Sequence, residues 1–358
     1  MSKILHIAPE NFAGVPISFV QMHRKFGDES RLITLHKTKI DFEEDLCLNL
    51  PLPEFKLAKL WRSKKVNEIQ QDTKIAAPFF SPKNIFEELY FSWSDGQRKA
   101  LVDEVITKLN LNEYEIIHYD GGLDFYRNPT QALKWKKEGK KIVCCYYGSD
   151  LRSRGLIREL DQISDLNITS EFDHLALKKN IEYLFYPYDG SDLPVKSNSE
   201  NDRVRIVHSP TNRKYKGTDL IISVIEKIKK EKQIEFVLLE NIHRNEVLKI
   251  KSTCDISIDQ VGGIMGGTGY GKAGLETLAM SIPTITNMTG EYENWLPENP
   301  FIVANNFDEL YVKLNELIED KHLRDEYGRK GQEWVKKYHS FESVNKRLKE
   351  LYISYGIT

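Results

Sequence analysis

The sequence predicts an α/β protein of two doubly wound, Rossmann-like domains facing each other across a cleft. Short apolar runs such as Lys3-Ile4-Leu5-His6-Ile7-Ala8 and Lys141 to Tyr147 alternate with segments of helical period almost from end to end. That is the pattern of parallel strands covered on both faces. A polar, turn-rich stretch, Lys196 to Asp202, separates one such series from a second that opens at Arg203-Val204-Arg205-Ile206-Val207. At 358 residues the chain exceeds one ordinary core and suits two domains of about 150–200 residues each.

The first domain, 1–195, opens as a βαβ unit: a strand at Lys3 to Ala8, Gly14 in the turn, a helix over Ile17 to Phe26 and a strand over Arg31 to Leu35. Further strands are predicted at Glu115 to His118, Lys141 to Tyr147, Leu166 to Thr169 and Tyr183 to Tyr186. Between Pro51 and Asn110 the period turns helical and aromatic, with Trp61, Phe79, Phe86 and Trp93, which reads as a helical insert. Its aromatics suit either acceptor recognition or core packing. Within it, Lys56, Lys59, Arg62, Lys64 and Lys65 interleave with Leu57, Leu60 and Trp61. A basic amphipathic helix over 56–65 of this kind either rests on anionic lipid, as a peripheral membrane contact, or presents a solvated face. The second domain, 203–335, repeats the alternation: helix Thr218 to Lys230, strand Glu235 to Leu239, helix His243 to Lys251, strand Asp255 to Ile258 and strand Thr284 to Thr286. The remaining 336–358 reads as a helix expected to return to the first domain.

Composition narrows the function. Lys and Arg number 51 against 53 Asp and Glu, so no global field draws the protein to nucleic acid. The four cysteines, Cys47, Cys144, Cys145 and Cys254, form no C-x-x-C pair and suit reduced thiols in the cytoplasm. No apolar stretch approaches the roughly 18 residues of a membrane span, and the N-terminus reads as a strand with no signal-peptide pattern. The expected location is the cytoplasm or the inner face of its membrane.

The run Gly267-Thr268-Gly269-Tyr270-Gly271-Lys272-Ala273-Gly274-Leu275-Glu276-Thr277-Leu278-Ala279-Met280 is the most informative segment. Glycines let backbone amides approach an anion, and the first turn of the following helix adds unpaired donors and a positive dipole end. Glu276, about a turn into that helix, is placed to accept hydrogen bonds from sugar or ribose hydroxyls. Two other motifs overlap the run. Gly266 to Lys272 fits G-x-x-x-x-G-K, but Ala273 stands where a Ser or Thr would hold magnesium. Gly269, Gly271 and Gly274 satisfy G-x-G-x-x-G, yet the preceding strand ends too far upstream for a dinucleotide fingerprint. A helix start beside a tight turn is the plainer alternative. The phosphate reading points to a nucleotide-sugar site.

Together with Ser209-Pro210-Thr211-Asn212-Arg213-Lys214-Tyr215-Lys216-Gly217-Thr218 after the first strand of the second domain, this layout resembles glycosyltransferases of the GT-B fold, most nearly family 4. The likeness covers about 200–340 and more loosely the first domain, where Tyr147-Gly148-Ser149-Asp150-Leu151-Arg152 is similar to the family's H-G-S-D-x-R loop, with Tyr147 in place of histidine. Thr268 to Ala279 falls on E-G-F-G-x-P-x-x-E-A-M-A without a gap. The resemblance implies that Glu276 binds the ribose, that Gly269, Tyr270 and Gly271 lie against the diphosphate and sugar, and that Thr268 replaces a sugar-contacting glutamate. It implies that Lys216, with Arg213 as its partner, stabilises the departing phosphate, and that Gly14 belongs to a glycine loop near the donor. Asp150, Gly148, Ser149 and Arg152 are the implied acceptor-positioning group, with Asp120 of Asp120-Gly121-Gly122 beside them; a helix N-cap suits Asp150 equally.

The activity so implied is hexosyl transfer from a nucleotide diphosphate sugar, a UDP-sugar in preference to a GDP-sugar, to a glycan, lipid or protein acceptor, with retention. No cofactor is expected. The chain contains no Asp-x-Asp triplet, so protein cations rather than metal are expected to carry the diphosphate. Two other readings stay open: a non-catalytic accessory protein of the same fold that binds a partner glycosyltransferase, and a nucleotide-sugar epimerase.

Overall fold

The computed structural model describes residues 1–38, 42–50, 77–80, 82, 84–196, 203–262 and 269–358. The basic segment 56–65 and Thr268 lie outside the described residues. The chain divides into two units, Met1–Pro187 with Phe341–Thr358, and Tyr188–Ser340.

The first unit is built on seven parallel strands: β1 (Lys3–Ala8), β2 (Glu29–Thr34), β3 (Leu46–Cys47), β4 (Ile116–Asp120), β5 (Lys141–Tyr146), β6 (Leu166–Thr169) and β7 (Glu182–Tyr183), in the order β3-β2-β1-β4-β5-β6-β7. Alternate residues of the continuous apolar runs go to opposite faces, which is why these strands carry no polar side. Leu5, Ile117, Ile142 and Cys144 pack on one face with Val102 and Ile106 of helix Ile85–Lys108 and Trp135 of helix Thr130–Lys137. Their neighbours Ile4, Ile116, Val143 and Cys145 pack on the other, with Phe19 and Met22 of helix Val15–Lys25 and Leu348, Leu351 and Tyr352 of helix Phe341–Ser354. Cys144 and Cys145 are thus small apolar fillers of two different cores.

Of the helical insert, the described part is dominated by helix Ile85–Lys108, whose start Asn84 caps by accepting the Glu87 amide at 2.9 Å. Among the described residues no helix is long and apolar enough to cross a membrane.

The second unit has five parallel strands, β8 (Val204–His208), β9 (Ile234–Leu238), β10 (Ile256–Gln260), β11 (Thr284–Thr286) and β12 (Ile302–Val303), ordered β12-β11-β10-β8-β9. Helix Thr218–Ile228 buries Ile221, Val224, Ile225 and Ile228, an i, i+3, i+4, i+7 stripe, against Ile206, Ile258 and Ile285. Strand order reverses between β8 and β10, so the loops leaving these two strands diverge and leave a crevice at their carboxyl ends.

The crossing between units falls at Pro187 and Tyr188, ahead of the polar run Lys196 to Asp202. Contacts between residues distant in the sequence decide this: the Tyr188 amide donates to the His339 carbonyl at 2.8 Å, and Leu193 packs with Leu248, Met280 and Ile282 of the second unit. The two-residue strands β3 and β12 are too short to show a period in the sequence.

Candidate functional site

The loops after β8 and β10 border the crevice at the reversal point of the second sheet. After β8, Asn212 accepts the Lys214 and Tyr215 amides at 3.0 and 3.3 Å and so starts the single helical turn Arg213–Lys216. Gly217 ends that turn at φ +65°, a left-handed conformation that favours glycine. Lys216 is thereby turned inward, its Nζ 2.7 Å from Asp259 Oδ1 and 3.0 Å from Gln260 Oε1 at the end of β10. Asp259 is buried and its second oxygen accepts the Gly271 amide at 2.8 Å. Burial pushes this carboxyl up, but the Lys216 ammonium outweighs it and holds the group below its ordinary range.

Gly271 starts helix Lys272–Ala279. A Cβ at Gly271 would stand 3.0 Å from Lys216 Nζ, so the ammonium lies against the opening of the helix. Gly269 has no room for a side chain at all: its Cβ would fall 1.9 Å from Cε1 of Tyr292. Its carbonyl accepts the Gln260 side-chain amide at 2.6 Å. Tyr270 packs its ring on Phe301 at 4.7 Å and pairs its hydroxyl with His339 Nε2 at 2.9 Å, anchoring the loop as it re-enters the helix.

Glu276, five per cent exposed, points to helix Arg244–Lys251. One carboxylate oxygen meets the Arg244 guanidinium at 2.8 and 3.2 Å and the other meets Lys251 Nζ at 3.0 Å. Arg244 and Lys251 are seven residues apart, two helical turns, and so share a face. Burial raises the Glu276 carboxyl, and the charges of Lys251 and Arg244 reverse this and hold it low. At the head of the same helix, burial and then repulsion from Arg244 push the Lys272 ammonium down to about 8. Lys216, Arg244, Lys251 and Lys272 thus gather with Asp259 and Glu276, four cations to two carboxylates, beside a helix N-terminus. An anion is the ligand such a cluster favours.

Arg213 is not part of it. Its guanidinium makes a two-pronged pair with Glu240 at 2.8 and 2.6 Å, lies 3.5 Å from Asp219 and is half exposed. His208 is an internal clamp, bonded to the Ile258 carbonyl at 2.8 Å and Thr218 Oγ1 at 2.9 Å.

In the first unit, Gly14 caps helix Val15–Lys25 at φ +68°, and Ala13 before it also takes a left-handed φ of +50°. Asp150 directs its carboxylate to its own loop, accepting the amides of Tyr147 and Gly148 at 2.9 Å and of Leu151 at 2.7 Å. Gly148 sits at φ +136° with Arg152 close by, and Ser149 is exposed. Arg152 is held by Asp173 at 2.6 Å and by Glu171. Asp120 is fully buried, bonded to His6 Nδ1 at 2.9 Å and to the Tyr147 hydroxyl, and burial pushes its carboxyl up to about 6. Lys216, Gly269, Gly271 and Glu276 are thus brought together, while Asp150 and Asp120 hold backbone and core.

Sequence reading missed Asp259, Gln260, Arg244, Lys251 and the charge of Lys272. Asp259 and Gln260 end an apolar strand, the position from which ligands are usually met, and that was the available signal. Arg244 and Lys251 gave none, because an exposed basic helix face reads the same way.

No family model matches the chain, and no curated protein matches it. Among solved structures it is similar to HepE of Anabaena in complex with UDP and glucose, at 13% identity over 99% of this chain and 100% of that one, with a TM-score of 0.57. It is similar to a glycosyltransferase from Rickettsia africae at 13% identity, 99% and 98% coverage and TM-score 0.60, and to the catalytic domain of starch synthase IV from Arabidopsis thaliana bound to ADP and acarbose at 13%, 99% and 99%, and 0.55. With its two parallel sheets, the protein has the GT-B fold.

Proposed function

We propose that the protein is a glycosyltransferase that takes a hexose from a nucleotide diphosphate sugar, a UDP-sugar in preference to a GDP-sugar, and retains the anomeric configuration as the family 4 resemblance implies. One observation carries the reading: Lys216, Arg244, Lys251 and Lys272 outnumber Asp259 and Glu276 at the head of helix Lys272–Ala279, at the reversal point of the second sheet. The likeness to HepE, solved with UDP and glucose, supports the choice of nucleotide.

In this reading the amides opening the helix and the Lys216 and Lys272 ammonium groups receive the diphosphate. As the anomeric carbon–oxygen bond of the donor breaks, negative charge grows on the departing nucleoside diphosphate, and fixed cations stabilise that charge more than the ground state. The acceptor hydroxyl forms the new bond to the anomeric carbon and its proton passes to the departing phosphate. Lys251 and Arg244 keep Glu276 ionised, and its remaining lone pairs accept the ribose hydroxyls. Because the helix amides and the Lys216 and Lys272 ammonium groups serve the diphosphate, transfer is proposed to need no metal.

Isothermal titration with UDP and GDP tests this. Binding of UDP by the wild type, and at least about tenfold weaker binding by Glu276→Gln with unchanged circular dichroism, is the expected result. Absence of binding to either nucleotide would refute the reading.

A further inference from the structure

Three histidines meet inside the first unit, whereas the anion site belongs to the second. His6 comes from β1, His118 from β4 and His23 from helix Val15–Lys25, and all three are buried. A nitrogen of each lies within 4.8 Å of one on the others, and the His6 and His118 rings stand 4.3 Å apart. We propose that this cluster is a zinc site that ties the first two central strands to the helix above them.

The hydrogen bonding favours a ligand over an ordinary packed core. His6 Nδ1 faces the Asp120 carboxylate at 2.9 Å and so carries the proton, which leaves His6 Nε2 as a bare lone pair, and that atom has no hydrogen-bond partner among the described residues. Both nitrogens of the buried His23 are also without a hydrogen-bond partner among the described residues. A buried polar atom left unmatched is costly, and one cation satisfies several here at once. The Asp120 to His6 contact is the outer carboxylate that orients a metal-bound imidazole and raises its basicity.

Three neutral imidazoles suit zinc, whose bonds to nitrogen of about 2.0–2.1 Å place ligand atoms roughly 3.3 Å apart. The nitrogens lie within 4.8 Å of one another, and zinc binding requires ring rotations that bring them to that spacing. His118 contributes by giving up its contact with Cys145, 3.4 Å from Nδ1, or with the Tyr352 hydroxyl at Nε2.

The test adds zinc chloride to the full chain after treatment with chelator and desalting. Expected are about one zinc per chain by elemental analysis after gel filtration, a raised Tm, and loss of that zinc in His23→Leu. Ring resonances of three of the nine histidines should shift in the wild type, and this measurement decides the matter if His23→Leu does not fold. No retained zinc, equal retention by a folded His23→Leu, or shifts confined to other histidines would each overturn the site.

Discussion

Lys216 Nζ and Asp259 Oδ1 lie 2.7 Å apart, and the other oxygen of Asp259 holds the amide that opens helix Lys272–Ala279 at 2.8 Å. A single buried carboxylate thus fixes both a cation from the β8 loop and the helix start from the β10 loop. The ammonium is held in place before any ligand arrives, so little reorganisation is required on binding.

Removing Lys216 should therefore affect stability and activity separately. Lys216→Ala strands the buried Asp259 charge and is expected to cost about 2–4 kcal/mol in urea unfolding, while Lys216→Met with Asp259→Asn recovers most of that loss. Donor turnover should fall by at least about 100-fold in both variants, because the recovered stability brings back no cation. Equal activity loss and recovery would show that Lys216 is only a structural partner.

Lys272 should make nucleotide affinity depend on pH. Its ammonium is pushed down to about 8, so it is charged below that pH and neutral above it. The UDP phosphate has ionised by about pH 7 and adds no further change above it. UDP affinity should thus decline above pH 8, by at most about tenfold per pH unit, and Lys272→Met should abolish the decline. Titration calorimetry across pH 7 to 9.5, at about 0.1 M salt, measures it.

Gly269 should tolerate no side chain while Tyr292 is present. A Cβ there would stand 1.9 Å from the Tyr292 ring, which is itself buried. Gly269→Ala is expected to lower stability by about 1–3 kcal/mol and to weaken UDP binding. Adding Tyr292→Ala should relieve the clash, and a single variant as stable as the wild type would contradict the packing described.

Most of the fold was legible locally. Leu166 to Thr169 and Thr284 to Thr286 match the strands residue for residue, and the apolar stripe from Ile221 to Ile228 marks its helix. Those signals are periods of two and of 3.6, carried by neighbouring residues. The glycine run and the Lys216-Gly217 pair were equally visible, since a left-handed φ or a close approach leaves its mark on residue type.

Partners across the sequence were not legible. Arg213 and Arg244 look alike as exposed basic residues, yet one meets Glu240 and the other meets Glu276, thirty-two positions away. Asp150 and Asp120 read as polar groups in glycine loops, but one carboxylate is enclosed by three amides and the other by the core. The sequence by itself determined two parallel α/β layers, the glycine loop and a carboxylate placed inside the helix that follows. Only the tertiary structure decided which charges meet, because Coulomb energy depends on separation in space and on burial, and neither is written in residue order.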